Sequence, residues 1–228
     1  MSDVLSAVSP VDGRYSNLTE PLRQYFSEFA LFKYRLHIEA EYLIALANLG
    51  IPKIPALADQ TRIDIQNLVG NFSIQDAQRI KELEKVTNHD IKALEYFIKE
   101  RLENSLGASV EWVHFGLTSQ DINNTAIPLS LKDANQDILL PALQEVVDKL
   151  QALALEWKNV AMLARTHGQP ASPTTIGKEL FVFVERLNIQ LAMLRNQVWA
   201  AKFGGATGNF NAHHAAFPDM NWHAFANQ

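Results

Sequence analysis

The sequence contains no cysteine. Disulfides, thiolate nucleophiles and cysteine-based zinc sites are therefore excluded, and the absence is compatible with a reducing, cytoplasmic setting. No apolar run approaches the roughly 18 residues of a membrane-spanning helix. The opening stretch, "MSDVLSAVSPVDGRYS", has no basic n-region and no apolar h-region, so no secretory signal is expected. Positive charge is not in excess either: 20 Lys and Arg stand against 25 Asp and Glu, a formal charge of −5. A general nucleic-acid or membrane-surface binder needs a basic face. Neither partner is expected, while a local site for a small anion stays open. Strand-like alternation of useful length, internal repeats and low-complexity tracts are missing as well.

What is present is helical periodicity. The 228 residues, 47% of them hydrophobic, suit one large or two modest soluble domains. Residues 1–20 carry Pro, Asp-Gly and Asn and read as loop. A helix is predicted over 21–50, stopped by Gly50 and Pro52, and a short one near 60–70. Ser73 with Asp76 forms a candidate capping box, and Thr87 with Asp90 can cap the next helix, whose Ile91, Leu94, Ile98 and Leu102 share a face. Beyond Pro141, Leu143, Val146, Leu150, Leu153, Trp157 and Val160 alternate steps of three and four. Ile176, Leu180, Phe183, Leu187, Leu191, Leu194 and Val198 repeat that seam. The fold class is all-α: a small N-terminal helical domain over 1–115, then the first long helices of a bundle over 116–228. Two such helices leave apolar stripes uncovered, so heavy self-association, an incomplete chain, or both are expected.

Three polar clusters interrupt the helices: "TNHD" (87–90), "TSQD" (118–121) and "THGQPASPTT" (166–175). Each sits where a helix is predicted to start, and helix N-termini favour anions. In the third, Ser172 is the predicted cap and Pro173 the first helical residue. Capping alone explains any single Thr/Ser-x-x-Asp. Two histidines at such starts, His89 and His167, each beside hydroxyls, suit acid–base work on an anionic substrate. Arg14 can grip a phosphate or carboxylate in a forked geometry. His114, before "FGLTSQD", reads as a supporting or structural group. His213, His214 and His223 lack the spacing of a helical zinc site, and "GGATGNFN" is not a dinucleotide loop. No metal and no cofactor is expected. The Gly-rich stretch reads as a connection where backbone passes close to something.

The combination "AVSPVDGRY", "TNHDIKALEYF", "FGLTSQDINNTA", "RTHGQPASPTTIGKE" and "GATGNFNAH" resembles the N-terminal half of the adenylosuccinate lyase family, in the fumarase/aspartase superfamily. The resemblance runs through nearly the whole chain. It implies β-elimination of fumarate from adenylosuccinate, giving AMP, and from SAICAR, giving AICAR, in cytoplasmic purine nucleotide biosynthesis. By motif, His167 would protonate the leaving nitrogen and His89 would bind substrate and balance charge. Arg14 and Tyr15 resemble the nucleotide-contacting pair, and Asn88, His89 and Asp90 a second substrate loop. Thr118 and Ser119 resemble the donors to a succinyl carboxylate, with Gln169, Thr166 and Lys178 nearby. The family's base, a serine on a "GSSxMPxKxNP"-type loop, has no counterpart in this sequence. The resemblance therefore implies an incomplete chain without appreciable activity alone, and a homotetramer whose active sites combine subunits. A related lyase acting on another succinyl substrate, and a non-catalytic helical oligomerisation fragment, are the competing readings.

Overall fold

The structure, a computed structural model, describes residues 4–228. In chain order its main elements are α1 (Arg23–Phe26), α2 (Glu28–Ala47), α3 (Asp59–Gly70), α4 (Ile74–Thr87), α5 (Asp90–Leu106), α6 (Ser119–Ala134), α7 (Leu140–Glu156), β1 (Ala161–Thr166), β2 (Gln169–Thr175), α8 (Ile176–Arg195), α9 (Asn211–Ala216) and α10 (Trp222–Ala226). Among the described residues the fold is all-α with one small two-stranded sheet. Two compact units emerge. The first runs to Leu131 and resumes over Ala200–Gln228; the second is Lys132–Trp199. No helix among the described residues is long and apolar enough to cross a membrane.

In the first unit the helix starts are chemically explicit. Ser27 accepts from the Ala30 N–H to open α2, and Ser73 and Asp76 form the reciprocal box that opens α4. The α4–α5 junction differs from the sequence expectation. Thr87 is the last residue of α4, Asn88 turns into the left-handed region at φ 52°, and His89 caps α5. The core gathers Phe32, Leu36 and Leu43 of α2, Ile65 of α3, Ile80 of α4, and Leu94, Phe97 and Ile98 of α5. A second cluster joins Tyr42 and Leu46 of α2 to Phe210 and Trp222.

One carboxylate closes this unit. Asp121, 2% exposed, accepts from Lys202 Nζ at 2.7 Å, the Thr118 N–H at 2.8 Å, the Gly204 N–H at 3.0 Å and the Gly205 N–H at 3.1 Å. The Gly-rich stretch thus brings its backbone onto the start of α6. Burial opposes the charge of Asp121. The Lys202 ammonium and the N–H groups outweigh it and hold the carboxyl below the usual range.

The second unit pairs α7 with α8 through Val147, Val184 and Leu191, flanked by Leu143, Leu150 and Leu187. The buried positions are Val147 and Val184, each one residue beyond the predicted Val146 and Phe183, which are about half exposed. Helix α7 also ends earlier than its apolar pattern, at Glu156, and α8 stops at Arg195. The polar interruption "THGQPASPTT" at 166–175 falls within a β-hairpin. His167 (φ 49°) and Gly168 (φ 76°) form its two-residue turn, the pair of positive φ angles that a type I′ turn requires. Ser172 lies inside β2, and Thr175 is the cap of α8, accepting from the Lys178 N–H. Pro173 accordingly sits in a strand, opposite Leu163.

Replacing Asp121 by Ala should destabilise the protein by about 3–5 kcal/mol, because it leaves Lys202 and several N–H groups without their shared acceptor. Since the native carboxyl is held low, its contribution is complete above an unfolded value of about 3.9 and fades as pH falls through the native value. The difference in unfolding free energy between wild type and Asp121→Asn should therefore shrink below that pH in denaturant titrations. At Gly177 a Cβ would run into the Ala154 carbonyl oxygen and lie 2.6 Å from Lys158 Cα. Gly177→Ala should cost about 1–3 kcal/mol by overpacking. An unchanged midpoint in chemical unfolding would contradict the close crossing.

Candidate active site

Helix α2 lays Arg35, Glu39 and Tyr42 along one stripe, at steps of four and three, and all three are buried. Each reaches a different segment of the chain. Arg35 pairs with Asp90 at 2.9 Å and donates from Nε to Asn123 Oδ1 at 2.9 Å, which ties α5 and α6 to α2. Glu39 meets His114 Nδ1 at 2.5 Å. Tyr42 donates its hydroxyl to the Phe115 carbonyl at 2.6 Å. The stripe therefore fixes the start of α5 and the 114–118 turn against a single rigid element.

Between those segments lies an open cavity of about 350 Å³, lined by His89, Lys92, Glu95, His114, Thr118 and Ser119. His89 owes its position to its capping role. Its Nδ1 accepts the Lys92 N–H at 3.2 Å, so in the neutral ring the proton sits on Nε2. Nε2 lies 3.3 Å from Ser119 Oγ. The imidazole is thus arranged as a donor towards the cavity.

Thr118 is engaged differently: both its N–H and its hydroxyl donate to Asp121. Asp90 is turned to Arg35 and the Ile91 N–H. Burial works against its charge, and those partners still bring its carboxyl below the ordinary value.

His114 has positive φ, 61°, a conformation sparsely populated by residues with a Cβ. Burial raises the Glu39 carboxyl. It also opposes the charge of His114, but the hydrogen bond to Glu39 and its negative charge outweigh that and raise the imidazole. Taken together, one proton is held between the two groups to higher pH than a free imidazole would hold it. Glu95 is brought below its usual value, against burial, by Lys92 and Lys99.

The structure brings His89, Thr118 and Ser119 together. Asn88 is the exposed left-handed residue that lets the chain turn into His89. Arg14 and Tyr15 lie in the exposed N-terminal segment, where the guanidinium stands 5.6 Å over the ring, outside this lining. His167 and Gln169 belong to the second unit: His167 forms the exposed hairpin tip, and Gln169 opens β2. Thr166 closes β1 and Lys178 lies in the first turn of α8. Sequence reasoning missed Arg35, Glu39 and Lys202. Their charges look like an ordinary solvated helix face or loop, and only the fold shows them turned inward. Among the described residues no group of three or more His, Cys, Asp or Glu is placed to hold a metal.

This arrangement can present several donors to a polyanionic ligand at one helix start. Comparisons with known proteins address the family of the chain. A family described as lyase matches residues 13–227. Curated relatives named adenylosuccinate lyase include one from Dictyostelium discoideum, 50% identical over 97% of this chain and 49% of its own length. Another, from Haemophilus influenzae, is 44% identical over 98% of this chain and 50% of its own length. The chain thus spans about half the length of these relatives. Among solved structures, fumarate lyase from Mesorhizobium sp. BNC1 superposes with a TM-score of 0.68 at 24% identity, covering 85% of this chain and 44% of that one. The beta-carboxy-cis,cis-muconate cycloisomerase from Acinetobacter calcoaceticus sp. ADP1 gives 0.69 at 20% identity, over 90% and 46%. At such identities the structural likeness speaks for the fold alone. The match over residues 13–227 establishes the family: this chain belongs to the lyases that it describes.

Proposed function

We propose that this chain is the N-terminal part of an adenylosuccinate lyase. The whole protein would eliminate fumarate from adenylosuccinate, giving AMP, and from SAICAR, giving AICAR, in cytoplasmic purine nucleotide biosynthesis. The observation that carries the reading is the identity of 50% over 97% of the chain to a relative of that name. The clustering of His89, Thr118 and Ser119 around one cavity supports it.

In the proposed reaction a base removes a proton from the succinyl Cβ. The electron pair delocalises into the adjacent carboxylate, where donors stabilise the developing charge. The C–N bond then breaks, its pair passes to nitrogen, and a general acid protonates that nitrogen. Ser119 and the Nε2–H of His89 are the donors assigned to a succinyl carboxylate. Thr118 is assigned to the same group, its hydroxyl exchanging its present partner Asp121 for the substrate. His167 is the assigned acid. Its turn at a hairpin tip leaves the imidazole exposed, as a group that meets substrate must be. Arg14 and Tyr15 are assigned to the nucleotide, Asn88 and Asp90 to the second substrate loop, and Gln169 to the vicinity of the leaving group.

The base is assigned to a serine-bearing loop outside these 228 residues. A homotetramer that shares active sites would cover Phe183, Ile189 and Met193 of α8, each more than half exposed. By the same proposal residues 1–115 form the N-terminal helical domain, and 116–228 begin the central bundle.

Adding adenylosuccinate to the full-length protein should change its ultraviolet absorbance as AMP forms. Turnover of only a different succinyl compound would refute the assignment. The 228-residue chain by itself should show no appreciable turnover; robust activity from it would overturn the assignment of the base. In the full-length protein His167→Ala should lower turnover roughly 10²–10⁴-fold, and near-normal turnover would remove its acid role. Arg14→Ala should instead raise the Michaelis constant and weaken AMP binding, so unchanged values of both would exclude it from the nucleotide site.

A further inference from the structure

His213 is a histidine that the proposed chemistry does not use. It lies on α9 with 0% exposure, boxed by the rings of Tyr42, Phe115, Phe203, Phe210 and Trp222. Its tautomer follows from hydrogen-bond arithmetic. Tyr42 has one hydroxyl hydrogen, and its Oη stands 2.6 Å from the Phe115 carbonyl, which can only accept. The contact of 3.0 Å between Oη and His213 Nε2 must then run the other way, with Nε2–H donating to the tyrosine oxygen. That leaves Nδ1 bare, and it is buried without a partner among the described residues. Burial keeps the ring from taking a second proton. The negative charge of Asp121 favours the cation and His214 opposes it, and burial prevails.

The ring also fills a space that a side chain would occupy. Gly116 has φ 68°, and a Cβ there would lie 2.7 Å from His213 Cε1. Imidazole and turn are therefore packed as one piece. A phenyl ring would fill the same aromatic box without burying a bare nitrogen acceptor, which carries a desolvation penalty. What the imidazole adds over a phenyl ring is one N–H directed at Tyr42.

We propose that His213 is a positioning residue for the 114–118 turn, acting as the Nε2–H tautomer through Tyr42 and the Phe115 carbonyl and by direct contact at Gly116. It sets the backbone from which His114 reaches Glu39 and from which Ser119 faces His89. The kinetic consequence rests on the lyase reading; the structural one does not.

Two measurements test it. In long-range proton–nitrogen spectra of this chain, His213 should show a protonated Nε2 and a bare Nδ1. In Tyr42→Phe, which deletes a single oxygen, the ring signals of His114 and His89 should shift. A protonated Nδ1, or unmoved His114 and His89 signals, would overturn the proposal. In the full-length protein, His213→Phe and Tyr42→Phe should each lower turnover at saturating substrate roughly 10–100-fold, the scale of a misplacement near 1 Å. The double variant should fall no further than either single one, and His213→Gln, with an amide N–H to offer Tyr42, should recover part of the loss. Wild-type turnover in Tyr42→Phe, or losses that multiply in the double variant, would equally overturn it. If His213→Phe does not fold, Tyr42→Phe and His213→Gln give the same comparison. Absence of adenylosuccinate turnover in the wild-type protein would strike the lyase reading instead, leaving the spectra to decide the positioning role.

Discussion

Everything assembled around the cavity depends on the pitch of α2. Because a helix returns to the same face every three to four residues, Arg35, Glu39 and Tyr42 form one buried stripe on a single rigid rod. Each holds a different segment: Arg35 takes Asp90 and Asn123, Glu39 takes His114, and Tyr42 takes the Phe115 carbonyl. Burying two charges on one helix is unfavourable unless both are paired. The pairing partners are the segments that bear the cavity lining, so desolvation enforces the geometry. A register error in α2 would strand Arg35 and Glu39 in the core instead of merely loosening a surface contact.

Asp121 plays the complementary part. The first unit leaves its sequence at Leu131 and resumes at Ala200, so something must recognise the returning chain. Its carboxylate, with Lys202 and the N–H groups of Gly204 and Gly205, does so at the first turn of α6. The glycines matter for φ as well as space: Gly204 and Gly205 adopt φ 146° and 77°, which side chains disfavour. The same carboxylate holds Thr118, and so the helix start that carries Ser119 and the return of the chain into the aromatic cluster are settled by one group.

Much of this was legible in the sequence, and the rest was hidden for identifiable reasons. The apolar period located α2 through α5, and the serine–aspartate box at the start of α4 formed as read. In the structure His89 of "TNHD" lies 3.3 Å from Ser119 of "TSQD". Thr87 is the residue type expected to cap α5, yet a bare imidazole Nδ1 accepts an N–H as a hydroxyl oxygen does, and His89 takes that place. The hairpin escaped because its turn is His-Gly where Asn-Gly is the usual signal, and because Pro170 and Pro173 disrupt strand alternation. In α7 and α8 the heptad reading placed Val146 and Phe183 in the seam, whereas a two-helix contact selects Val147 and Val184. Arg35 and Glu39 could not be told from a solvated face without their distant partners.

The hairpin bears on how copies of the chain can associate. An open pair of strands is ordinarily a template on which another chain can lay a strand of its own. Here two of the seven residues of β2, Pro170 and Pro173, carry no amide hydrogen, and the register breaks between Leu163 and Arg165 of β1. A strand approaching either edge would find the ladder interrupted. The one stretch of β-structure among the described residues is thus a poor seed for cross-strand aggregation, even though it displays an exposed histidine at its tip and sits beside helices rich in exposed apolar side chains.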